Sequence, residues 1–457
     1  MTTRILGTRW GKAFAGCVLV GGMLLGVVNR ARAELPYEGA PINYLTAKVD
    51  DPIARLNAKL KAGEAKLTYD EKQGGYLASL LKALAVPESS QVLVFSKTSF
   101  QRHKIGPRTP RALYFGDDMY IGWVQGGDVV EISAVEPRQG AVFYLLDQDP
   151  EGPPRFQRLT HDCLQCHSSG KTQEVPGHLV RSVYPDRSGQ PMYNAGTFTT
   201  SHESPMNERW GGWYVTGTHG RQTHMGNVFV TDPDQPEQLD TAAGANVLDL
   251  SARFKTSRYL RPTSDIVALM VMEHQTQMHN LITAASYHAR LALHYQQGIN
   301  KALGKPNDEL SASTQSRIRS PAEKLVKYML FSGEPALAEP VVGSSSFTQD
   351  FQTKAIKDPL GRSLRDLDLT HRMFRYPCSY LIYSEAFDAL PQPVLDVVYD
   401  RLLEVLSGQD QSPEFAHLSA QDRAAVLEIL RATKKNLPPS WPRSSPISTR
   451  GARITKI

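Results

Sequence analysis

The feature that most constrains this chain is the Cys-x-x-Cys-His motif in residues 163–167. Cys163 and Cys166 are separated by two residues, so both thiols can reach the two vinyl groups of a single haem. His167 follows directly, which puts its imidazole beneath the porphyrin ring as the proximal ligand of the iron. The motif therefore predicts one covalently attached haem c, around which the rest of the chain is organised.

A second interpretation of the motif is a Cys-x-x-Cys redox pair, or half of a zinc site, that happens to be followed by His. A zinc ribbon needs a second pair of ligands, and the other two of the four cysteines, Cys17 and Cys378, stand alone. Haem attachment accounts for the motif without further ligands. Cys378 is most simply a small buried hydrophobe, and no structural disulfide is required.

Residues 1–33 have the pattern of a secretory signal peptide. A basic start is followed by an apolar run over residues 13–28 and then by Ala31-Arg32-Ala33, which supplies the small residues of a cleavage site. The apolar run is short for a membrane span, so membrane attachment is expected only if the segment is retained. We predict a periplasmic or secreted bacterial protein, in agreement with haem attachment, which takes place outside the cytoplasm.

The charge of the chain does not indicate a nucleic-acid partner. The first 33 residues carry five basic side chains and no acidic one, so cleavage would reduce the 51 basic residues to 46, equal to the 46 acidic residues. The sequence has no dense Lys/Arg run with interleaved aromatic residues. We therefore expect a redox partner protein and no nucleic acid, and we make no prediction of oligomeric state.

Hydrophobic periodicity predicts an α+β fold. Helical spacing over residues 50–67 and 69–84 is followed by strand-like runs that Gly, Pro and Asp turns separate. These runs cover residues 91–95, 112–124, 129–135 and 140–146. We expect a sheet that forms the floor for the haem segment. The predicted β-rich, haem-bearing region is then flanked by N-terminal helices and by a mainly helical C-terminal region.

The chain is long enough for two or three domains. After the signal peptide we predict an α+β haem c-binding domain over residues 34–260 and a mainly helical domain over residues 261–436. Residues 437–457, where Pro and Ser dominate, are predicted to be a disordered tail. The helices predicted in the C-terminal part cover residues 321–331, 393–406 and 419–433, and the last begins with a capping box at Ser419.

A basic cluster lies between two of the predicted strands. Its members are Arg102, His103, Lys104, Arg108 and Arg111. One interpretation is a solvated loop. The other is a set of partners for the haem propionates, because a planar guanidinium group matches a carboxylate well.

Two hairpins are predicted after the motif. The first joins residues 178–184 to residues 192–198 through a Pro-Asp-Arg-Ser-Gly turn. The second joins residues 210–220 to residues 224–230 and is rich in glycine, aromatic residues and histidine. Glycine permits close backbone approach. The second hairpin is therefore either the wall of a flat aromatic cofactor or a glycine-rich hairpin with surface histidines.

A long helical pattern covers about residues 264–301, with Ser264 as the predicted N-cap. His274 and Met278 lie one turn apart on its apolar face. Each is either an ordinary core residue or a candidate for the sixth iron ligand. Glu273 and the neighbouring histidines permit acid/base or second-metal chemistry, although no second helix supplies matching ligands.

The sixth iron ligand is expected from the second hairpin or from this helix. The candidates, in order of preference, are His224, His274, Met225, Met278 and His219. His161 is only two residues before Cys163, which is too close for it to reach the opposite face of the haem.

The motif in an exported precursor resembles that of c-type cytochromes. It differs from a small cytochrome c domain, because a long β-rich segment precedes the motif. A longer pattern, over residues 210–227, 272–280 and 375–383, looks like that of large exported bacterial proteins that carry one haem c and have no assigned reaction. The resemblance implies haem ligation by Cys163, Cys166 and His167, and it implies no substrate.

Three functions remain, and the sixth position on the iron separates them. With His or Met bound there, the protein is an electron carrier or an electron-entry domain for a redox partner, which is our first expectation. With an open position beside His, Arg or Glu, the haem could activate peroxide or oxidise a small substrate. With an open position lined only by apolar groups, a gas-binding or sensing module is expected.

Overall fold

The computed structural model describes residues 35–441. The predicted signal peptide and the part of the predicted tail from residue 442 onward lie outside the described residues. The described part is a mixed α+β structure, which confirms the predicted fold class. Its helices are α1 (Pro52–Lys61), α2 (Leu77–Ala83), α3 (Leu164–His167), α4 (Ile266–Leu303), α5 (Ala312–Met329), α6 (Phe347–Thr353), α7 (Glu385–Asp388), α8 (Gln392–Leu406) and α9 (Ala420–Thr433).

An antiparallel sheet of seven strands is the main β element. The strands of the described part, in this sheet and outside it, are β1 (Val92–Val94), β2 (Arg111–Phe115), β3 (Met119–Trp123), β4 (Val129–Glu136), β5 (Gly140–Asp147), β6 (Phe156–Leu159), β7 (Val180–Val183), β8 (Thr197–Thr200), β9 (Trp213–Tyr214), β10 (Gly217–Thr218) and β11 (Val342–Gly343). The main sheet has the order β6-β5-β4-β3-β2-β1-β9. Strands β7 and β8 form a separate antiparallel pair, which confirms the first predicted hairpin.

The two faces of the main sheet meet different parts of the chain, because side chains alternate along each strand. One face packs with α1 and α2 in a closed apolar core. The other, which we call the site face, carries two neighbouring rows of side chains across strands β2 to β5. The first row is Phe115, Tyr120, Ser133 and Phe143, and the second row is Leu113, Gly122, Glu131 and Leu145.

Helix α4 crosses the first row of the site face. Its Gln275 side chain donates to the Tyr120 hydroxyl at 3.0 Å and to the Gly116 carbonyl at 2.7 Å. Most side chains of the first half of α4 are buried, including the polar residues Glu273, His274 and Gln275, so this segment is enclosed on every side and lies at the centre of the core. The N-cap of the helix is Asp265, whose carboxylate accepts from the Val267 and Ala268 amides. The prediction of Ser264 as the N-cap was wrong by one residue.

The C-terminal helices pack on α4 in the same core that reaches the site face. This core runs through the predicted boundary at residues 260 and 261, and the division into two domains stays a prediction. The capping box at the start of α9 is confirmed: Ser419 and Asp422 bond reciprocally to each other's backbone. In the described part of the chain, no helix is both long and apolar enough to cross a bilayer.

Two further predictions from the sequence were wrong. The second hairpin does not form, because β9 pairs with β1 and β10 pairs with β11 instead of with a strand at residues 224–230. The predicted tail also begins too early, because Trp441 is 3% exposed and its ring lies 5.9 Å from that of Tyr399. Residues 437–441 therefore belong to the packed structure.

Candidate functional site

The Cys-x-x-Cys-His motif forms one helical turn. The amide of His167 donates to the carbonyl of Cys163 at 2.9 Å, and α3 ends at His167. The turn brings the two thiols to one side of the chain. Cys163 is half-buried and Cys166 is exposed, and both are free thiols. Thioether bonds to one flat group next to this turn need two free thiols, and the motif has them.

The imidazole of His167 is oriented by the backbone of Gly177. Its Nδ1 atom lies 3.0 Å from the Gly177 carbonyl oxygen, and the Gly177 amide donates to the His167 carbonyl at 2.8 Å. A carbonyl can only accept, so Nδ1 carries the ring proton and Nε2 keeps its lone pair. Burial lowers the pKa of His167, which favours the neutral form that binds metals. This tautomer and orientation fit an axial haem ligand.

Glycine is required at position 177. A Cβ atom there would lie 2.3 Å from Oδ1 of Asn280 on α4. The same Asn280 side chain brackets the next residue, because Oδ1 accepts from the His178 amide at 2.8 Å and Nδ2 donates to the His178 carbonyl at 2.7 Å. Helix α4 thereby holds the backbone segment that orients His167.

His178 is the histidine that the tertiary structure brings beside His167. The ring of Phe143 lies 5.0 Å from that of His167 and 6.4 Å from that of His178. Nε2 of His178 is 2.6 Å from the Ser133 hydroxyl, and its ring is 4.4 Å from Tyr120. Burial, His279 and His167 all lower its pKa, so His178 is neutral. Sequence reasoning missed this residue, whose only signal was its place at the start of the first predicted hairpin.

The second row of the site face lies beside the motif and is only partly covered. Leu113, Glu131 and Leu145 are half-buried, and Gly122 between them has no side chain. Of the predicted basic cluster, Arg111 belongs here. Its Nη2 atom is 2.6 Å from Oε2 of Glu131, and the charges of both residues act on Cys163 and His167. An apolar floor with one charged pair is thus adjacent to His167.

The other members of the basic cluster fit the solvated-loop interpretation. Arg102, His103 and Arg108 are exposed. Lys104 pairs with the exposed carboxylate of Asp128 at 2.6 Å. Their interpretation as propionate partners stays a prediction.

The structure joins His219 and His224 to each other, and no described contact joins them to His167. Their ring centroids are 4.7 Å apart, and His224 also packs against Trp210 at 5.3 Å. The Gly226 amide donates to Nδ1 of His224, which puts the proton of the neutral ring on Nε2. Iron ligation by His224 would require a change of this tautomer. The sulfur of the neighbouring Met225 lies 3.6 Å from the Ser182 hydroxyl.

His274 and Met278 lie in the core of α4. Nδ1 of His274 is 2.8 Å from Nδ1 of His202, and its Nε2 is 2.8 Å from the Ser379 hydroxyl, so both ring nitrogens have protein partners. Met278 is 0% exposed within the largest apolar cluster. The prediction of these residues as iron ligands remains a prediction for the haem-loaded protein.

Glu273 forms a buried ion pair with Arg209 rather than a cluster with His279. Its Oε2 atom lies 3.2 Å from Nη1 of Arg209, and burial raises the pKa of the carboxyl to about 7. Across residues 35–441, no group of three or more His, Cys, Asp or Glu side chains is arranged to hold a metal ion. That arrangement is not required for haem, because the porphyrin supplies four of the iron ligands.

The redox-pair interpretation of the motif needs an acidic thiol. Burial, with Glu131 and Asp162 nearby, instead raises the pKa of Cys163 to about 11. A thiol with this pKa is a poor nucleophile at neutral pH, which argues against the redox-pair interpretation.

Comparisons of the chain with protein-family models, with curated proteins and with solved structures found no match. The interpretation of the site therefore depends on its own residues and their geometry.

Proposed function

We propose that this protein is an exported c-type cytochrome that carries one covalently attached haem and exchanges electrons with a redox partner protein. Cys163 and Cys166 would hold the haem, and His167 would be its proximal ligand. The observation that carries the proposal is the contact between His167 Nδ1 and the Gly177 carbonyl at 3.0 Å, next to two free thiols. When bound, haem supplies one-electron exchange at its iron.

The exposure of the motif supports electron exchange with a second protein. Cys166 and the preceding Gln165 are exposed, while His167 is half-buried and its ring lies 5.0 Å from that of Phe143. A group tethered through Cys166 would therefore be held at an exposed part of the chain. A redox partner protein would approach it there.

The first experiment is expression of the full chain in a bacterium competent in cytochrome maturation. We expect a coloured protein whose mass exceeds that of the processed polypeptide by one haem. The Cys163→Ala/Cys166→Ala double variant should lose both the colour and the added mass, whereas Cys378→Ala, a buried thiol remote from the motif in sequence, should retain them. A colourless wild-type protein of polypeptide mass would refute the proposal.

The sixth iron ligand is tested on the same sample. His224 remains the first proposed ligand and His274 the alternative. Substitution of the true ligand by alanine should convert a low-spin ferric absorption and electron paramagnetic resonance spectrum to a high-spin one, and substitution of a non-ligand should leave the spectrum unchanged. A wild-type spectrum that is already high-spin, or that shows the red absorption band of Met ligation, rejects His ligation.

A haem oxidoreductase is the second candidate, because the charged pair Arg111–Glu131 lies near His167 and acts on it. An open sixth position beside Arg and Glu would be the arrangement expected for peroxide activation or for oxidation of a small substrate. A gas-binding module would instead need an open position that only apolar groups line. Carbon monoxide binding to the reduced protein, together with turnover of added peroxide, separates the enzyme from the carrier.

A further inference from the structure

The Arg111 guanidinium lies flat on the site face where Gly122 leaves room for it. A Cβ atom at position 122 would lie 2.2 Å from Nη2, 2.6 Å from Nε and 2.7 Å from Cζ of Arg111. Any residue other than glycine would therefore push the guanidinium away from the sheet. The side chain is 18% exposed, so most of it is enclosed while part of it reaches solvent.

Most donors of this guanidinium have no protein partner among the described residues. A guanidinium has five N–H donors, and the only partner of Arg111 in the described part of the chain is Glu131, at 2.6 Å from Nη2. Its Nε atom is buried and unpaired. A buried, unpaired donor on a charged group is costly. This cost indicates that a further acceptor completes the group when the site is filled.

Glu131 is itself fixed, so it cannot turn to satisfy the remaining donors. Its Oε1 atom accepts from Nε2 of Gln101 at 3.0 Å, while Oε2 faces Arg111. Gln101 also donates to the carbonyl of Val129 at 3.2 Å. The carboxylate is thus clamped between Gln101 and Arg111, and the free donors of Arg111 are available to a second anion.

We propose that Arg111 is the anion-binding group of the haem site, and that it takes a carboxylate or a small inorganic anion next to His167. This inference rests on the proposed function. Two sources would have this chemistry: a propionate of the attached haem, or a free small anion that enters the haem site. Arg forms charge-assisted hydrogen bonds to either one. The charges that face the site are those of Arg111 and Glu131, together with Asp162 near Cys163.

The test uses the haem-loaded full chain with the Arg111→Gln and Gly122→Ala variants. The first removes the charge, and the second keeps the charge but displaces the guanidinium. Arg221→Gln, a side chain that is 95% exposed, and Gly298→Ala, where a Cβ meets nothing within 4 Å, are the matched controls. Azide titration of the ferric protein and the midpoint potential of the haem are the two measurements, and circular dichroism checks folding.

A free anion is the ligand if azide binds at least about 10-fold more weakly to both variants, as loss of a charge-assisted hydrogen bond requires. A propionate is the ligand if both variants have a lower midpoint potential and unchanged azide affinity, or if azide does not bind at all and the potential alone falls. Unchanged affinity and potential in a haem-loaded variant overturn this inference alone. Wild-type protein without haem overturns the proposed function, and this inference with it.

Discussion

The Nδ1 atom of His167 lies 3.0 Å from the carbonyl oxygen of Gly177. This one contact sets the tautomer and the orientation of the ring. It depends on α4, because Asn280 fills the space that a side chain at position 177 would need. The bond connects the motif to the segment that α4 holds, and in the proposed haem protein it would make the electronic character of His167 sensitive to backbone position.

Gly177→Ala should raise the midpoint potential of the haem. The added Cβ displaces the Gly177 carbonyl, which weakens its bond to Nδ1, lowers the basicity of the imidazole and reduces its stabilisation of ferric iron. Potentiometric titration measures the shift. Gly170→Ala is the control, because a Cβ there would have only an ordinary contact at 3.5 Å with Glu174. A potential that is the same in both variants would show that this bond does not tune the iron.

Asp51→Ala should destabilise the fold by about 2–4 kcal/mol. Asp51 caps α1 by accepting from the Ile53 amide, and its other oxygen accepts from the Tyr144 hydroxyl of β5 at 2.6 Å. The substitution removes the cap and leaves a buried hydroxyl unpaired. Urea denaturation measures the loss. Asp50→Ala, at a side chain that is 74% exposed, should change stability by less than about 0.5 kcal/mol; equal losses would contradict the assignment of the cap.

Trp441→Ala should cost about 3 kcal/mol, the usual value for loss of a buried aromatic ring. Trp441 is 3% exposed and packs edge-on to Tyr399 of α8. Thermal unfolding of the purified variant is the measurement. The neighbouring Ser440→Ala, at an exposed position, is the control. An unchanged melting temperature in Trp441→Ala would contradict the packing of Trp441 and support the tail over residues 437–457 that the sequence predicts.

Glu334→Gln should stabilise the protein at pH 8 and leave it unchanged at pH 4. Burial raises the pKa of Glu334 from 4.5 to about 7. The folded state therefore holds a proton that the unfolded state loses first, so stability is full below pH 4.5 and falls as pH rises toward 7. The amide stays neutral and should gain at least about 1 kcal/mol at pH 8. The measurement is the melting temperature at each pH across this range. Its dependence on pH should be the same for wild type and for the exposed Glu71→Gln control.

Several elements could be predicted from the sequence because their signals are local. The apolar pattern of α4 and the capping box at Ser419 each lie within a few turns of chain, and both are found in the structure. The runs predicted over residues 129–135 and 140–146 likewise match β4 and β5, whereas the single run predicted over residues 112–124 is two strands, β2 and β3, with a turn between them. The N-cap of α4 was misplaced by one residue because Ser264 and Asp265 are both good capping residues. Ser264 instead donates to the Tyr214 carbonyl.

The candidate site could be predicted only in part. The motif identifies Cys163, Cys166 and His167 because their spacing matches the cofactor itself. His178 and Arg111 belong to no such motif. Arg111 was one of several basic residues in a predicted loop. Only the antiparallel register of β2, β3 and β4 puts its side chain over Gly122 and in contact with that of Glu131.

The sequence by itself determined the α+β class, the long central helix and the three residues predicted to bind haem, since each depends on side-chain chemistry or periodicity within a short stretch of chain. Only the tertiary structure decided that β9 pairs with β1, that His178 lies beside His167 and that Nε of Arg111 is buried without a partner among residues 35–441. Those relationships join residues far apart in sequence. They are set by strand register and by packing on α4, which no local pattern encodes.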